Sequence, residues 1–97
     1  MSGQRPSETE EVGVRTEVGD YVRRIVETIG GVLAPAPDTR LFDVGMTSMA
    51  CVRIMVAVEA EFDVLLPDDF LTFDTFATPD ALTDALCAAL PAGARLP

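Results

Sequence analysis

The chain has 97 residues, a formal net charge of −9 and 48% apolar residues, which fits one small acidic globular domain. Its negative charge makes nucleic acid and anionic membrane surfaces poor partners. The sequence contains no His and no Lys. Because these residues supply the commonest general base, the commonest neutral metal ligand and the Schiff-base amine, we expect no catalytic residue and no metal site.

The two cysteines, Cys51 and Cys87, are 36 positions apart and form no CxxC pair. This spacing argues against a zinc site and a disulfide framework, and it favours two reduced thiols that pack as small apolar side chains. The first fifteen residues contain no apolar run of the kind a signal peptide needs, and no later run approaches a membrane span. The sequence therefore predicts a cytoplasmic protein.

The first helix is predicted from Thr16 onwards. Residues 1–15 are rich in Ser, Gly, Pro and Glu, and we expect them to form a disordered lead. Apolar residues then recur with the period of an amphipathic helix that stops at Gly30-Gly31: Val18, Tyr21, Val22, Ile25, Val26 and Ile29. We expect one folded domain over residues 16–91 and a flexible tail over residues 92–97.

A long loop is predicted from Val32 to Met46, because this segment contains a PxP sequence and a DxG turn. We expect Leu33, Leu41 and Phe42 to attach it to the core. Loops of this length in small domains are usually functional.

The second helix is predicted from Thr47-Ser48 to Phe62, and it has two apolar stripes. One comprises Cys51, Ile54, Met55, Val58 and Phe62, and the other comprises Met49, Val52 and Val56. A helix with a second stripe is either almost completely buried or keeps one face for a partner. The pattern by itself leaves both possibilities open.

The remainder of the chain predicts a short helical turn and a last long helix. Pro67-Asp68-Asp69-Phe70 can start the turn. Thr78-Pro79-Asp80 is typical of a helix start, and the helix should run from Pro79 to about Leu90, burying Leu82, Ala85, Leu86, Ala89 and Leu90. No segment alternates long enough to predict a strand. We therefore expect an all-α bundle of four helices, three long and one short, with a long loop between helices one and two.

The candidate site is the sequence Asp43-Val44-Gly45-Met46-Thr47-Ser48-Met49, where the long loop meets helix two. A serine at a helix N-terminus lies where free amides and the helix dipole favour a phosphate group. Gly45 lets the chain turn sharply and so present the hydroxyl. By spacing alone, Ser48 or Thr47 as an ordinary N-cap is the more frequent arrangement.

Residues 41–86 (LFDVGMTSMACVRIMVAVEAEFDVLLPDDFLTFDTFATPDALTDAL) resemble the carrier-protein domain, whose members carry acyl, peptidyl or aminoacyl groups on a 4′-phosphopantetheine arm. The resemblance extends over residues 21–90 and is densest from Phe42 to Pro67. It depends on an acidic residue, a hydrophobic residue and Gly, followed by two variable positions and Ser, and on later residues at the expected distances: Asp43, Val44, Gly45 and Ser48, with Met46 and Thr47 at the variable positions, then Glu59, Glu61, Phe62 and Pro67. The neighbours Thr47 and Met49 match neither the usual fatty-acid carriers nor the usual peptidyl carriers. The Thr47-Ser48 pair, the helix-two sequence VRIMVAVEAEFDV and the downstream Pro-Asp-Asp-Phe-Leu are closer to small discrete carriers of bacterial secondary metabolism, including those loaded with amino acids by stand-alone ligases. Such carriers serve antibiotic and other polyketide or nonribosomal-peptide pathways.

The resemblance implies that Ser48 is the attachment serine, flanked by Asp43, Gly45 and Thr47, and that helix two is the recognition helix. It implies a non-enzymatic monomer that holds its cargo as a thioester. Its partners would be a phosphopantetheinyl transferase, an acyl- or aminoacyl-loading ligase or adenylation enzyme, and downstream synthase or tailoring enzymes. The partner-binding surface would combine an apolar centre with an acidic rim: Met49, Val52, Val56, Glu59, Asp63 and Asp68 or Asp69.

Two other interpretations of the residues remain open. The chain could be a small helical protein–protein interaction domain in which Ser48 is an ordinary cap and the second stripe binds one partner permanently. It could also be a thiol enzyme that uses Cys51, although it lacks the His and the electropositive setting that lower a thiol pKa.

Overall fold

The computed structural model describes residues 8–90, with side chains from residue 14 onwards. This part of the chain contains three α-helices and no strand, so the all-α prediction is confirmed. The helices are α1 (Glu8–Thr28), α2 (Ser48–Phe62) and α3 (Pro79–Ala89). Two 3-10 turns lie between them, at Leu41–Val44 and Asp68–Phe70. The predicted tail over residues 92–97 lies outside the described residues.

Helix α1 begins at Glu8, eight residues before the predicted start at Thr16. The prediction of a disordered lead is therefore wrong for residues 8–15, while residues 1–7 lie outside the described residues. Once a helix is nucleated, each added residue gains a hydrogen bond, and glutamates in the first turns interact favourably with the helix dipole. Hence the helix extends beyond its apolar stripe. Arg15, on this extension, forms ion pairs with Asp80 and Asp84 of α3.

The apolar stripe of α1 is buried as predicted, and it packs against α3. Val22 and Val26 are completely buried, as are Leu82 and Leu86 of α3. The chain leaves α1 at Gly30, where a Cβ atom would lie only 2.6 Å from the Val26 carbonyl oxygen. The predicted stop at the glycine pair is thus explained by a close backbone approach that only glycine permits.

The segment between α1 and α2 is anchored at two of the three positions predicted, and the third anchor is a neighbouring residue. Leu41 is completely buried and Phe42 is half-buried, but Leu33 is 93% exposed. Val32 is buried in its place, and its amide donates to the Val26 carbonyl oxygen at 3.3 Å. Because neighbouring side chains in non-helical backbone point in different directions, burying Val32 leaves Leu33 in solvent. The predicted loop is also interrupted by the 3-10 turn Leu41–Val44.

The predicted fourth helix is a single 3-10 turn of three residues, Asp68–Phe70. Phe70 is buried there, and its ring meets Phe76 edge to face with centroids 5.8 Å apart. Pro67 is the only helix-start signal at this turn, and no periodic apolar stripe follows the turn. The sequence therefore has no feature that extends the turn into a longer helix.

Helix α3 begins as the sequence predicts. The Thr78 hydroxyl accepts a hydrogen bond from the Ala81 amide at 3.0 Å, and Pro79 occupies the first turn. The helix ends at Ala89, where Leu90 turns to extended backbone. Among the described residues, none of the helices combines the length and the low polarity that a bilayer crossing requires.

Candidate functional site

A sharp turn brings the chain from the first 3-10 turn to α2. Gly45 has φ +103°, a left-handed conformation that favours glycine, and its amide donates to the Phe42 carbonyl oxygen. Met46 is buried, and its amide donates to the Leu41 carbonyl oxygen at 3.1 Å. The predicted role of Gly45 as a turn residue is thus confirmed, and Met46 fixes the turn to the core.

Thr47 is the N-cap of α2. Its hydroxyl accepts a hydrogen bond from the Ala50 amide at 3.1 Å. Ser48 is therefore the first helical residue, and its side chain is exposed to solvent. The structure decides between the two hydroxyls that the sequence left open: Thr47 satisfies the helix end, and the Ser48 hydroxyl is free to react.

The start of α2 offers two further donors beside the Ser48 hydroxyl. The amides of Ser48 and Met49 belong to the first turn and have no intrahelical acceptor. They lie at the positive end of the helix dipole, where a phosphate group binds favourably. The residues at this position therefore fit a phosphodiester on Ser48.

Asp43 lies on the surface of the preceding turn and pairs with Arg40. The Arg40 Nε atom is 3.3 Å from the Asp43 carboxylate, and both side chains are largely exposed. A pair of this kind contributes little to stability in water. Asp43 therefore presents a solvent-accessible carboxylate close in sequence to Ser48.

The two apolar stripes of α2 differ in burial. Cys51, Ile54 and Val58 are buried, and Met55 and Phe62 are half-buried against the core. Met49, Val52 and Val56 are 63%, 41% and 58% exposed. The structure therefore answers the question left open by the pattern: the second stripe is a surface, which we call the apolar stripe of α2.

A groove of about 240 Å³ adjoins Ser48 and continues the apolar stripe of α2. Its walls come from α2, the first 3-10 turn and the segment before α3: Phe42, Ser48, Cys51, Val52, Leu71, Thr72, Phe73 and Phe76. The Phe42 and Phe73 rings meet edge to face with centroids 5.2 Å apart, although Phe73 is 73% exposed. Sequence reasoning did not place Leu71 and Phe73 at the site, because no periodic pattern indicates which way residues in a turn-rich segment face.

The acidic residues predicted for the rim occupy the far end of α2 and the turn beyond it. Glu59 is half-buried, and its carboxylate accepts a hydrogen bond from the Leu66 amide at 2.9 Å. Asp63 is the exposed C-cap of α2, with φ +55°. Asp68 and Asp69 are exposed in the second 3-10 turn. Glu59 thus has a structural role that the sequence did not indicate, because its hydrogen bond connects the segment that follows α2 to the last turns of the helix.

The environment of Cys51 does not favour a reactive thiol. The side chain is buried, and burial raises the pKa of the thiol above its ordinary value. A nucleophilic cysteine requires the opposite shift.

Taken together, the residues of the site define a small helical bundle that presents one serine hydroxyl beside an apolar surface.

Comparisons with known proteins agree with this arrangement. The family model described as a phosphopantetheine attachment site matches residues 20–86. Aminoacyl carrier protein 2 of Bradyrhizobium diazoefficiens is 32% identical over 82 residues, which cover 84% of this chain and 92% of that protein. Aminoacyl carrier protein 1 of the same organism is 36% identical over 70 residues, covering 65% of this chain and 78% of that protein.

Solved structures are similar as well. One matching chain comes from a complex of an engineered Bradyrhizobium japonicum glycine:[carrier protein] ligase with carrier protein from Agrobacterium tumefaciens and ATP. The TM-score is 0.65 at 27% identity, with 73% of this chain and 97% of that chain covered. Another comes from the Bradyrhizobium japonicum ligase with glycylated carrier protein, with a TM-score of 0.56, 35% identity, and 74% and 97% coverage.

This chain belongs to the phosphopantetheine-binding carrier-protein family. Its prosthetic group is 4′-phosphopantetheine, and it is a carrier and not an enzyme.

Proposed function

We propose that this protein is a discrete carrier that bears 4′-phosphopantetheine on Ser48 and holds aminoacyl groups for partner enzymes. One observation carries the assignment to Ser48: Thr47 caps α2, so the neighbouring Ser48 hydroxyl is exposed and unengaged at the helix start. In the attachment, the Ser48 oxygen would form the new phosphodiester bond to the β-phosphorus of coenzyme A. The hydroxyl proton would leave, and adenosine 3′,5′-bisphosphate would be released.

The bound group supplies a terminal thiol that can hold a carboxylic acid as a thioester. The chain's own residues support this chemistry without taking part in it. The Ser48 and Met49 amides lie in the first turn of α2, where they would donate to the phosphate, and Gly45 and Met46 form the preceding turn, with Met46 buried in the core. A carrier of this kind contributes a high effective concentration of its cargo near each partner.

Aminoacyl cargo is supported by the names of the relatives. Three curated relatives at 30–36% identity are called aminoacyl carrier proteins. A structurally similar chain lies in a complex of a glycine:[carrier protein] ligase with glycylated carrier protein. We propose an amino acid:[carrier protein] ligase as the loading partner, and bacterial natural-product biosynthesis as the setting for the downstream enzymes.

The docking surface that we propose has the apolar stripe of α2 at its centre. Met49, Val52 and Val56 are exposed on one side of the helix that starts at Ser48. Glu59 and Asp63 follow on the last turn of α2 and contribute negative charge to its rim. Such a surface suits brief and repeated contacts, because its apolar area is small.

The attachment is tested by intact-mass spectrometry after incubation with coenzyme A and a promiscuous phosphopantetheinyl transferase. We expect the mass of one phosphopantetheinyl group to be added to the wild type and to Thr47→Ala, and not to Ser48→Ala. Thr47→Ala is the matched control, because it removes the neighbouring hydroxyl and leaves Ser48 in place. A wild-type chain that gains no mass while a control carrier is modified would refute the proposal.

A further inference from the structure

One arginine on α2 differs from the other arginines among residues 14–90. Arg53 is exposed, and it forms no ion pair, hydrogen bond or ring contact with this part of the chain. The remaining four are engaged: Arg15 with Asp80 and Asp84, Arg23 with Asp20, Arg40 with Asp43, and Arg24 with the Tyr21 ring. Arg53 is therefore a free cation on a chain with a net charge of −9.

The sequence of α2 explains why Arg53 has no partner on its own helix. Side chains three and four residues apart are neighbours on a helix surface. At these distances Arg53 meets Met49, Ala50, Val56 and Ala57, none of which is acidic. Arg53 therefore lies beside the apolar stripe of α2, about one helical turn after Met49 and one before Val56.

A partner that covers the apolar stripe also removes water from Arg53. Dehydrating a guanidinium group is costly unless an acceptor replaces the lost water, and a carboxylate accepts the planar fork of arginine with two hydrogen bonds. A partner recognised only through the overall negative charge would be basic at this point, and it would repel Arg53. Arg53 thus selects for a partner with a negative group opposite α2.

We propose that Arg53 is a specificity-determining residue of the docking surface, and that it pairs with a carboxylate on the loading ligase. The ligase would cover the apolar stripe of α2 with an apolar patch of its own and place an Asp or Glu side chain opposite Arg53. This inference rests on the proposed function, since it assigns the chemistry of the partner at the same surface. It adds a requirement that the net charge of the carrier does not predict: the ligase surface is acidic at the point opposite Arg53.

The test measures aminoacylation of the full-length phosphopantetheinylated protein. A panel of amino acid:[carrier protein] ligases, including the Bradyrhizobium japonicum glycine ligase, is screened with ATP and amino acids, and the ligase that loads the wild type fastest is used. The variants are Arg53→Glu, Arg53→Gln and Arg53→Lys. Arg24→Glu is the matched control, because it makes the same change in net charge at an exposed arginine on α1.

We expect Arg53→Glu to raise the KM for the carrier by about tenfold or more, with little change in kcat, because a buried like-charge contact replaces an ion pair. Arg53→Gln should give a smaller increase, and Arg53→Lys the smallest. Added salt should raise the KM of the wild type more steeply than that of Arg53→Gln, since screening weakens the pair. Arg24→Glu should keep the wild-type KM.

Two outcomes overturn the inference alone. One is a wild-type KM in Arg53→Glu, and the other is an equal increase of the KM in Arg53→Glu and Arg24→Glu, which would show that only net charge matters.

Intact-mass measurement reports separately on the proposed function. If the wild type does not accept phosphopantetheine, the proposed function fails. If it accepts the arm but no ligase in the panel loads it, the aminoacyl role fails and this inference fails with it. Thermal unfolding of each variant confirms that it is folded.

Discussion

At the scale of single residues, the site depends on two neighbouring hydroxyl side chains with different tasks. Thr47 closes the helix end through its bond to the Ala50 amide, and Ser48 stands one position later in solvent. If Ser48 were the cap, its hydroxyl would be engaged by a backbone amide and less available to a transferase. The Thr-Ser order thus separates helix stability from reactivity.

This separation predicts different effects of two small substitutions. Thr47→Ala should lower the free energy of unfolding by about 1 kcal/mol, because it leaves the first turn without its cap. Ser48→Ala should change it by no more than about 0.5 kcal/mol, as is usual for exposed sites. Urea unfolding measures both values. A larger loss in Ser48→Ala than in Thr47→Ala would show that the cap is assigned to the wrong residue.

The two cysteines should also differ in reactivity. Cys51 is buried with a raised pKa, so it stays protonated to higher pH than an ordinary thiol, whereas Cys87 is exposed. Because only the thiolate reacts with iodoacetamide, we expect one rapid alkylation at pH 8 in the native protein that has not yet received phosphopantetheine, and a second only after unfolding. Peptide mapping of the modified chain identifies the site. Rapid native-state labelling of Cys51 would contradict the burial described above.

At the scale of elements, α2 is the part of the fold that faces two environments. Its inner stripe fills the core beneath the site, and its outer stripe of Met49, Val52 and Val56 is exposed. A helix in a soluble domain normally has one apolar stripe, so the second requires a function. The groove beside Ser48 extends this apolar surface towards Leu71 and Phe73.

Two valines on opposite sides of α2 provide a matched test of this assignment. Val58 is completely buried and Val56 is 58% exposed. Val58→Ala should therefore cost about 2 kcal/mol of unfolding free energy through lost burial and a small cavity. Val56→Ala should cost less than about 0.5 kcal/mol and should weaken loading by the ligase instead. Equal stability losses in the two variants would show that the outer stripe is packed.

At the scale of the whole molecule, charge is distributed unevenly along the chain. Residues 1–40 carry five Arg and seven acidic residues, whereas residues 41–97 carry two Arg and nine acidic residues. The negative charge is therefore concentrated in the part of the chain that contains Ser48. Against this background the unpaired Arg53 is a local exception with the opposite sign.

Hydrogen exchange should reveal that the loop segments between the helices are locally less stable than the helices. Residues 33–40 contain few buried side chains and residues 71–75 are mostly exposed, so their amides should exchange fastest within residues 14–90. The amides of Leu41 and Met46 should exchange more slowly, since both residues are buried and bonded to backbone carbonyls. Amides of the long loop that exchange as slowly as those of Val22 and Ile54 would contradict this expectation.

The sequence by itself determined the three α-helices, the starts of α2 and α3 and the position of the candidate serine. These features depend on short-range physics: the helical period of apolar residues, capping hydroxyls, a proline in the first turn and glycines at a stop. The tertiary structure alone decided which hydroxyl caps α2, which stripe faces solvent, and that Leu71 and Phe73 adjoin Ser48. It also extended α1 back to Glu8 and exposed Leu33. These outcomes depend on which surfaces meet when the helices pack, and a local pattern contains no information about its distant neighbours.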